Sequence, residues 1–197
     1  MRSNKLEKNE NNILSVDDIA DQLSINRESA KVTTTRYVKQ GWLIRLKKNF
    51  YITPDKFKAL KENDFFYLAN NLQVPSYISL TSALSYYNIS TQQLQGVIES
   101  IALKRTKTVR VKETEFKFIL IKKDLYDGFT LQDSFFIAFP EKALADAVYL
   151  TSLGKYNCDF NAIDFSKLNR TKVDKYIKNT NRRTKLFWSN LCKLYKI

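Results

Sequence analysis

Glu99 and, sixteen residues later, Glu115-Phe116-Lys117 are side chains whose types and spacing suggest a catalysed reaction. Two carboxylates on adjacent strands can share one Mg²⁺, and a lysine two residues past the second can stabilise developing charge, as in metal-dependent nucleases. The plainer reading is that Glu and Lys two apart on a strand share one solvated face. No Pro-Asp pair precedes Glu99, which favours the plainer reading. The chain contains no histidine. That removes Ser-His-Asp and Cys-His nucleophile systems, HExxH zinc sites and phosphohistidine relays. Cys158 and Cys192 are too few for a disulfide framework or a thiolate zinc site, and are expected to be plain thiols in a reducing cytoplasm. We expect no catalytic residue, metal or cofactor, and a binder rather than an enzyme.

Phosphate recognition is the better supported chemistry. The net charge is +13, and clustered Lys and Arg gain affinity for nucleic acid by releasing its counterions. The charge is unevenly placed. Residues 1–54 hold ten basic and six acidic side chains (+4), and residues 166–197 hold ten basic and one acidic (+9). In the first stretch, Arg27, Ser29, Lys31, Thr35, Arg36 and Lys39 fall on the outward side of a helix expected from Arg27 to about Gln40. Arg can pair with guanine, Thr can meet a thymine methyl or a phosphate, and Lys can hold the backbone. Arg45, Lys47 and Lys48 follow at the tip of an expected hairpin. In the last stretch, Arg182, Arg183 and Lys185 are candidates for a partner surface. They lie on a helix whose other side is expected to carry Leu186, Phe187, Leu191 and Leu194.

The positioning elements follow from local signals. Ser15-Val16-Asp17-Asp18 starts a helix whose apolar stripe is Ile19, Ala20 and Leu23. Asn26 caps a second helix, with Ala30, Thr33 or Thr34, Tyr37 and Val38 facing inward and Gly41 ending it. Residues 42–46 and 50–53 read as two short strands around Lys47-Lys48-Asn49. Helix, tight turn, helix and basic hairpin are the order of a winged helix-turn-helix, expected to bind DNA; the alternative is a winged-helix module whose outward face serves protein contacts. Residues 55–72 read as a linking helix and Pro75 as the start of a second unit. There the reading is a helix over 80–88, strands over 96–104, 108–111, 115–121 and 135–139, a helix over 141–153, and C-terminal helices over 171–178 and 181–196, the last behind Thr180. Glu141 and Asp146 are five apart and do not share a helix face, so packing is their expected role. A short helix is also expected around Ser3 to Asn11. The expected fold is α+β. A winged helix-turn-helix over 1–54 and a linking helix over 55–74 precede an α+β domain over 75–197 with a small, mainly antiparallel sheet. No run approaches the length of a membrane span, so a cytoplasmic protein without membrane contact is expected.

Three stretches resemble the AbiEi family of abortive-infection antitoxins, predicted transcriptional regulators of viral defence systems. They are Val38-Lys39-Gln40-Gly41-Trp42-Leu43-Ile44-Arg45 running to Phe50-Tyr51, Tyr77-Ile78-Ser79-Leu80-Thr81-Ser82-Ala83-Leu84, and Pro140-Glu141-Lys142-Ala143-Leu144-Ala145-Asp146. The resemblance implies an N-terminal winged helix binding repeats in its own promoter as an autorepressor, and a C-terminal domain required for antitoxicity. It implies a type IV antitoxin paired with a nucleotidyltransferase-like toxin that it counters without a stable complex. By position, Lys31, Thr35, Arg36, Arg45 and Lys48 match the family's DNA-facing surface. Lys48-Asn49 stands where the family more often has a basic residue and Gly; Asn tolerates positive φ there.

Overall fold

The structure, a computed structural model, describes residues 13–197. The helix expected around Ser3 to Asn11 lies outside the described residues. The chain is an α+β protein of two compact units, Met1–Asp64 and Phe65–Ile197.

The described part of the first unit runs β1 (Leu14–Ser15), α1 (Val16–Leu23), α2 (Arg27–Lys39), β2 (Ile44–Lys47), β3 (Phe50–Ile52) and α3 (Pro54–Ala59). Ser15 starts α1 with a reciprocal cap: its Oγ accepts from the Asp18 amide at 3.1 Å, and its own amide donates to Asp18 Oδ2 at 2.7 Å. Both groups would otherwise be orphan donors of the first turn. Asn26 does the same work for α2, accepting from the Ser29 amide at 2.8 Å. Asn26→Ala is expected to lower stability by about 1 kcal/mol, with Asn26→Gly recovering most of it, read as a shift of the thermal midpoint. Gly41 follows α2 at φ +75°, a conformation that a Cβ disfavours.

The hairpin β2–β3 turns through Lys48-Asn49, and Asn49 takes the positive φ at 65°. Its register shifts between Arg45, opposite Tyr51, and Lys47, opposite Phe50. β1 adds a third strand on the far side of β3, giving the order β1-β3-β2. Leu14, Ile19, Ala30, Tyr37, Leu43 and Tyr51 close the core beneath these elements. The expected linking helix is two helices, α3 and α4 (Glu62–Leu72), because Leu60 is extended at φ −61°, ψ 133°. Asp64 starts the new helix by accepting from the Lys61 amide at 2.9 Å.

The second unit continues from α4 through β4 (Ser76–Ile78), α5 (Leu80–Tyr86), β5 (Val97–Ala102), β6 (Lys107–Val111), β7 (Thr114–Leu120), β8 (Phe129–Gln132), β9 (Phe135–Ala138), α6 (Pro140–Ser152), α7 (Arg170–Lys178) and α8 (Arg182–Tyr195). One six-stranded sheet runs in the order β6-β7-β5-β4-β9-β8. Three of its neighbour pairs are antiparallel, and β5–β7 and β4–β9 are parallel. The sheet is therefore mixed and larger than the sequence suggested, because β4 is only three residues long and β8, Phe-Thr-Leu-Gln, lacks the continuous apolar run that marks β9. α4 covers one face, with Phe65 against Phe116 and Phe66 against Phe135. α6 is buried along almost its whole length and reaches the other face, where Asp146 meets Tyr77. The cap of α8 is Asn181 rather than Thr180: Asn181 Oδ1 accepts from the Thr184 amide at 2.9 Å, while the Thr180 hydroxyl donates back to the Ile177 carbonyl.

Candidate nucleic-acid interface

The residues that α2 needs for packing leave the others outward. Ala30, Thr34 and Tyr37 are buried, and Lys31, Thr35, Arg36 and Lys39 stand on the opposite, exposed side. These four, with Val32, line one shallow depression along the helix. Val32 is 73% exposed, and it was not among the sequence candidates. The signal for it was available: a β-branched apolar residue between outward Lys31 and Arg36 has no core to enter, and its methyls suit a thymine methyl.

The cations of this face differ in how far they are committed. Arg27 Nε pairs with Asp17 of α1 at 2.9 Å, and Lys31 Nζ pairs with Glu28 at 2.7 Å. The Lys31 ammonium holds the Glu28 carboxyl below its ordinary range. Both pairs are solvated, so exchanging the carboxylate for a phosphate costs little. Arg36 lies over the Tyr37 ring, 5.7 Å from its centroid, which keeps its guanidinium alongside the helix. Lys39, Arg45 and Lys48 are exposed and make no ion pair among the described residues. Lys47 is half-buried over the Phe50 ring at 4.4 Å, so it is less available than its neighbours. The Thr35 hydroxyl donates to the Lys31 carbonyl at 2.9 Å and keeps acceptor capacity outward. Ser29 is exposed in the first turn.

The carboxylate–lysine constellation is only partly assembled. β5 and β7 are parallel neighbours, but Glu99 lies opposite Lys117, and Glu115 lies opposite Val97. Glu115 is held by Arg110 at 2.8 Å and by Lys117 at 3.5 Å. Glu99 is buried and engaged elsewhere: its Oε2 accepts from Tyr156 Oη at 2.8 Å and from the Thr81 amide at 3.2 Å, and its own amide donates to Ser82 Oγ at 2.9 Å. Among the described residues no group of three or more His, Cys, Asp or Glu is placed to hold a metal ion. Burial lifts the Glu99 carboxyl above its ordinary value, opposed most by the Tyr156 hydrogen bond and then by the Lys117 charge. The folded state therefore holds that proton more tightly than the unfolded chain does. The associated stability is complete below the unfolded value near 4.5 and is lost as pH rises through the folded one. Glu99→Gln keeps an acceptor for Tyr156 and removes the charge. It is expected to gain stability over wild type at neutral pH, with the difference vanishing at acid pH, in urea unfolding at both.

Two of the motifs singled out in the sequence converge on one buried cluster. Asp146 Oδ2 accepts from Tyr77 Oη at 2.9 Å and from Ser79 Oγ at 2.8 Å. Its Oδ1 accepts from Lys142 Nζ at 2.6 Å, and Lys142 also donates to the Leu125 carbonyl at 2.8 Å. Lys142 and Asp146 are 3% and 1% exposed. Burial pushes the Asp146 carboxyl up, countered by the Lys142 ammonium and by the two hydroxyls. Burial and the Asp146 charge raise the Tyr77 phenol well above its usual value. The expectation of plain packing for this helix misses the pair, although Lys and Asp four apart in an apolar run are a readable signal.

Arg182, Arg183 and Lys185 are exposed at the start of α8, without an ion pair among the described residues. Of the apolar side expected for α8, Phe187 packs on Phe160 and Leu191 is buried; Trp188, buried and donating to Asp174 at 2.7 Å, and Tyr195, packed on Phe165, dock beside them. Leu186 and Leu194 do not join them and are 62% and 70% exposed. Both cysteines are free and buried, and burial pushes the Cys158 thiol up to about 12. No helix of the described residues is long and apolar enough to cross a membrane.

These elements define an α+β protein of two units. Its fold resembles the crystal structure of the RV2827C protein from Mycobacterium tuberculosis, with a TM-score of 0.64 at 9% sequence identity over 97% of this chain and 74% of that chain. At that identity the likeness is one of fold. No family model and no curated protein matches the sequence.

Proposed function

We propose that the first unit is a winged helix-turn-helix that binds duplex DNA, with α2 in the major groove and the β2–β3 hairpin against the neighbouring backbone. The observation that carries this reading is the outward face of α2. Lys31, Val32, Thr35, Arg36 and Lys39 line one depression, while the inward face of the same helix is committed to the core. Arg45 and Lys48 supply further exposed cations on the hairpin. In function, the protein is a transcriptional autorepressor and the antitoxin of an abortive-infection system of the AbiEi type, paired with a nucleotidyltransferase-like toxin. The separate engagements of Glu99 and Glu115 weigh against a metal-dependent nuclease.

Titration against the duplex upstream of its own gene tests the reading. Binding tighter than to an unrelated duplex of equal length, by about 10³-fold or more at physiological salt, supports it. Equal affinity for both duplexes removes the regulatory role. Co-expression with the product of an adjacent nucleotidyltransferase-like gene tests the antitoxin role through growth rescue.

A further inference from the structure

We propose that the second unit carries a small-molecule site on the open part of its sheet, and that it takes a nucleoside monophosphate with the phosphate on Lys117 and Lys155 and a sugar hydroxyl on Glu99. The site follows from how the sheet is covered. Residues directly opposite on neighbouring strands share a face, so Glu99 on β5, Lys117 on β7 and Thr108 on β6 stand in one row. This is the face of α6: Ile101, two residues along β5 from Glu99, lies opposite Tyr77, which bonds to Asp146 of that helix. Cover thins along the row. Glu99 is 5% exposed, Lys117 is half-buried and Thr108 is exposed. A cavity of about 450 Å³ opens there, within the range of roughly 300–1,000 Å³ usual for small-molecule sites. Its whole lining belongs to the second unit.

The buried end is organised before any ligand arrives. Glu99 Oε2 accepts from both Tyr156 Oη and the Thr81 amide, and the Thr81 hydroxyl shares a hydrogen bond of 2.7 Å with Tyr156 Oη. The plain role of Glu99, meeting a first-turn amide of α5, is thus filled by Oε2. Oε1 keeps acceptor capacity, and a carboxylate oxygen in a largely desolvated place is costly to leave short of donors. Glu99 is the one acid in the cavity lining. A hydroxyl or amine of a ligand supplies the donor that this end calls for.

The open end calls for an anion. Lys155, just past α6, is exposed and forms no ion pair among the described residues. Lys117 has its ion pair with Glu115 at 3.5 Å, long enough to yield to a phosphate. With a single acid against these lysines the cavity is net positive. A phosphate is drawn to the lysines and repelled by Glu99, which orients the ligand. Ile119, two residues past Lys117 on the same face, and Leu94 are half-buried and offer an apolar surface to a planar base. The side-chain amides of Gln92 and Asn157 carry both donors and acceptors for its edge. A bare phosphate uses only the lysines, and a sugar phosphate leaves the apolar and amide groups idle.

Calorimetric titration of the full chain with each of the four ribonucleoside 5′-monophosphates tests the site, beside inorganic phosphate and ribose 5-phosphate. At least one nucleotide is expected to bind with a submillimolar Kd, about tenfold or more tighter than either comparison. Lys155→Gln is expected to weaken that nucleotide by about tenfold or more, with an unchanged melting curve. Glu99→Gln keeps an oxygen for Tyr156 and Thr81 but sets an amide NH₂ in place of Oε1, so it too should weaken the nucleotide while leaving inorganic phosphate as it was. Its expected gain in stability keeps that loss distinct from unfolding. The double variant Arg36→Ala with Lys48→Ala is expected to bind the nucleotide as wild type does, which separates this site from the DNA-binding reading. Absence of binding at millimolar nucleotide, inorganic phosphate binding as tightly as every nucleotide, affinity unchanged by both Lys155→Gln and Glu99→Gln, or loss of binding with Arg36 and Lys48 would each overturn the inference.

Discussion

Replacing Arg36 and Lys48 together by alanine is expected to weaken binding to the upstream duplex sharply and to cut its preference over an unrelated duplex, while leaving the fold intact. Both side chains are exposed, and neither forms an ion pair among the described residues. Their removal therefore has little effect on unfolding. Arg36 sits in the middle of the outward face of α2, where a guanidinium paired with a base is worth about 1–3 kcal/mol of discrimination. Lys48, at the turn of the hairpin, would meet the DNA backbone under the proposed reading, a contact that carries no sequence information. The two losses are separable by measuring affinity at several salt concentrations. Lys48→Ala should weaken specific and unrelated duplexes alike and reduce the slope of log affinity against log salt by about 0.9. Arg36→Ala should narrow the gap between the duplexes by about 5- to 150-fold. If the double variant keeps both the gap and the slope, α2 and the hairpin are not the reading surface. Val32→Ser is a milder companion, expected to change preference only where a thymine methyl meets that residue.

The largest expected loss of stability comes from the buried pair in the second unit. Lys142→Ala leaves the Asp146 carboxylate, 1% exposed, without its cation. Asp146→Ala leaves the Lys142 ammonium with the Leu125 carbonyl and only a distant Asp127, at 3.7 Å. Breaking one side of a buried ion pair costs about 3–5 kcal/mol, because the remaining charge must stay desolvated or open the core to water. Each single variant is expected to fall by that amount in urea unfolding. The double variant, Lys142→Met with Asp146→Leu, should lose far less than the sum, since no charge is stranded. It should not recover fully, because Tyr77 and Ser79 lose the oxygen that both now use and an unmet buried hydroxyl costs about 1–3 kcal/mol. Additive losses would mean that the two charges are already solvated independently.

This cluster also explains why two separated motifs belong to one fold. Tyr77 and Ser79 flank the end of β4, and Lys142 and Asp146 lie four apart on α6, so the polar bonds tie a strand to a helix far along the chain. The same stretch reaches the other way: Thr81 and Ser82 hold Glu99 through an amide and a hydroxyl. A sequence of Tyr, Ser, Thr and Ser between apolar residues thus serves two buried acids on different elements. The bonds they accept from strand, helix and loop make them positioning groups for the unit's core.

The amino-acid order alone was enough for what a few neighbouring residues decide. Ser15 and Asn26 cap their helices because short polar side chains reach the amides two or three residues on. Asn49 turns the hairpin because its side chain tolerates positive φ. The outward cations of α2 are legible because its 3.6-residue period separates them from Ala30, Thr34 and Tyr37. Tertiary structure alone decided what depends on residues distant in sequence. β4 is only three residues and β8 mixes Phe and Leu with Thr and Gln, and each exists as a strand through the neighbours that pair with it. Glu99 and Glu115 read as alike on their strands, yet sheet register and the approach of Tyr156 bury one and leave the other beside Arg110. Local propensity acts through one or two turns of chain. Register and burial are settled only when segments tens of residues apart compete for the same partners, and that competition set the environments of Lys142, Asp146 and Glu99.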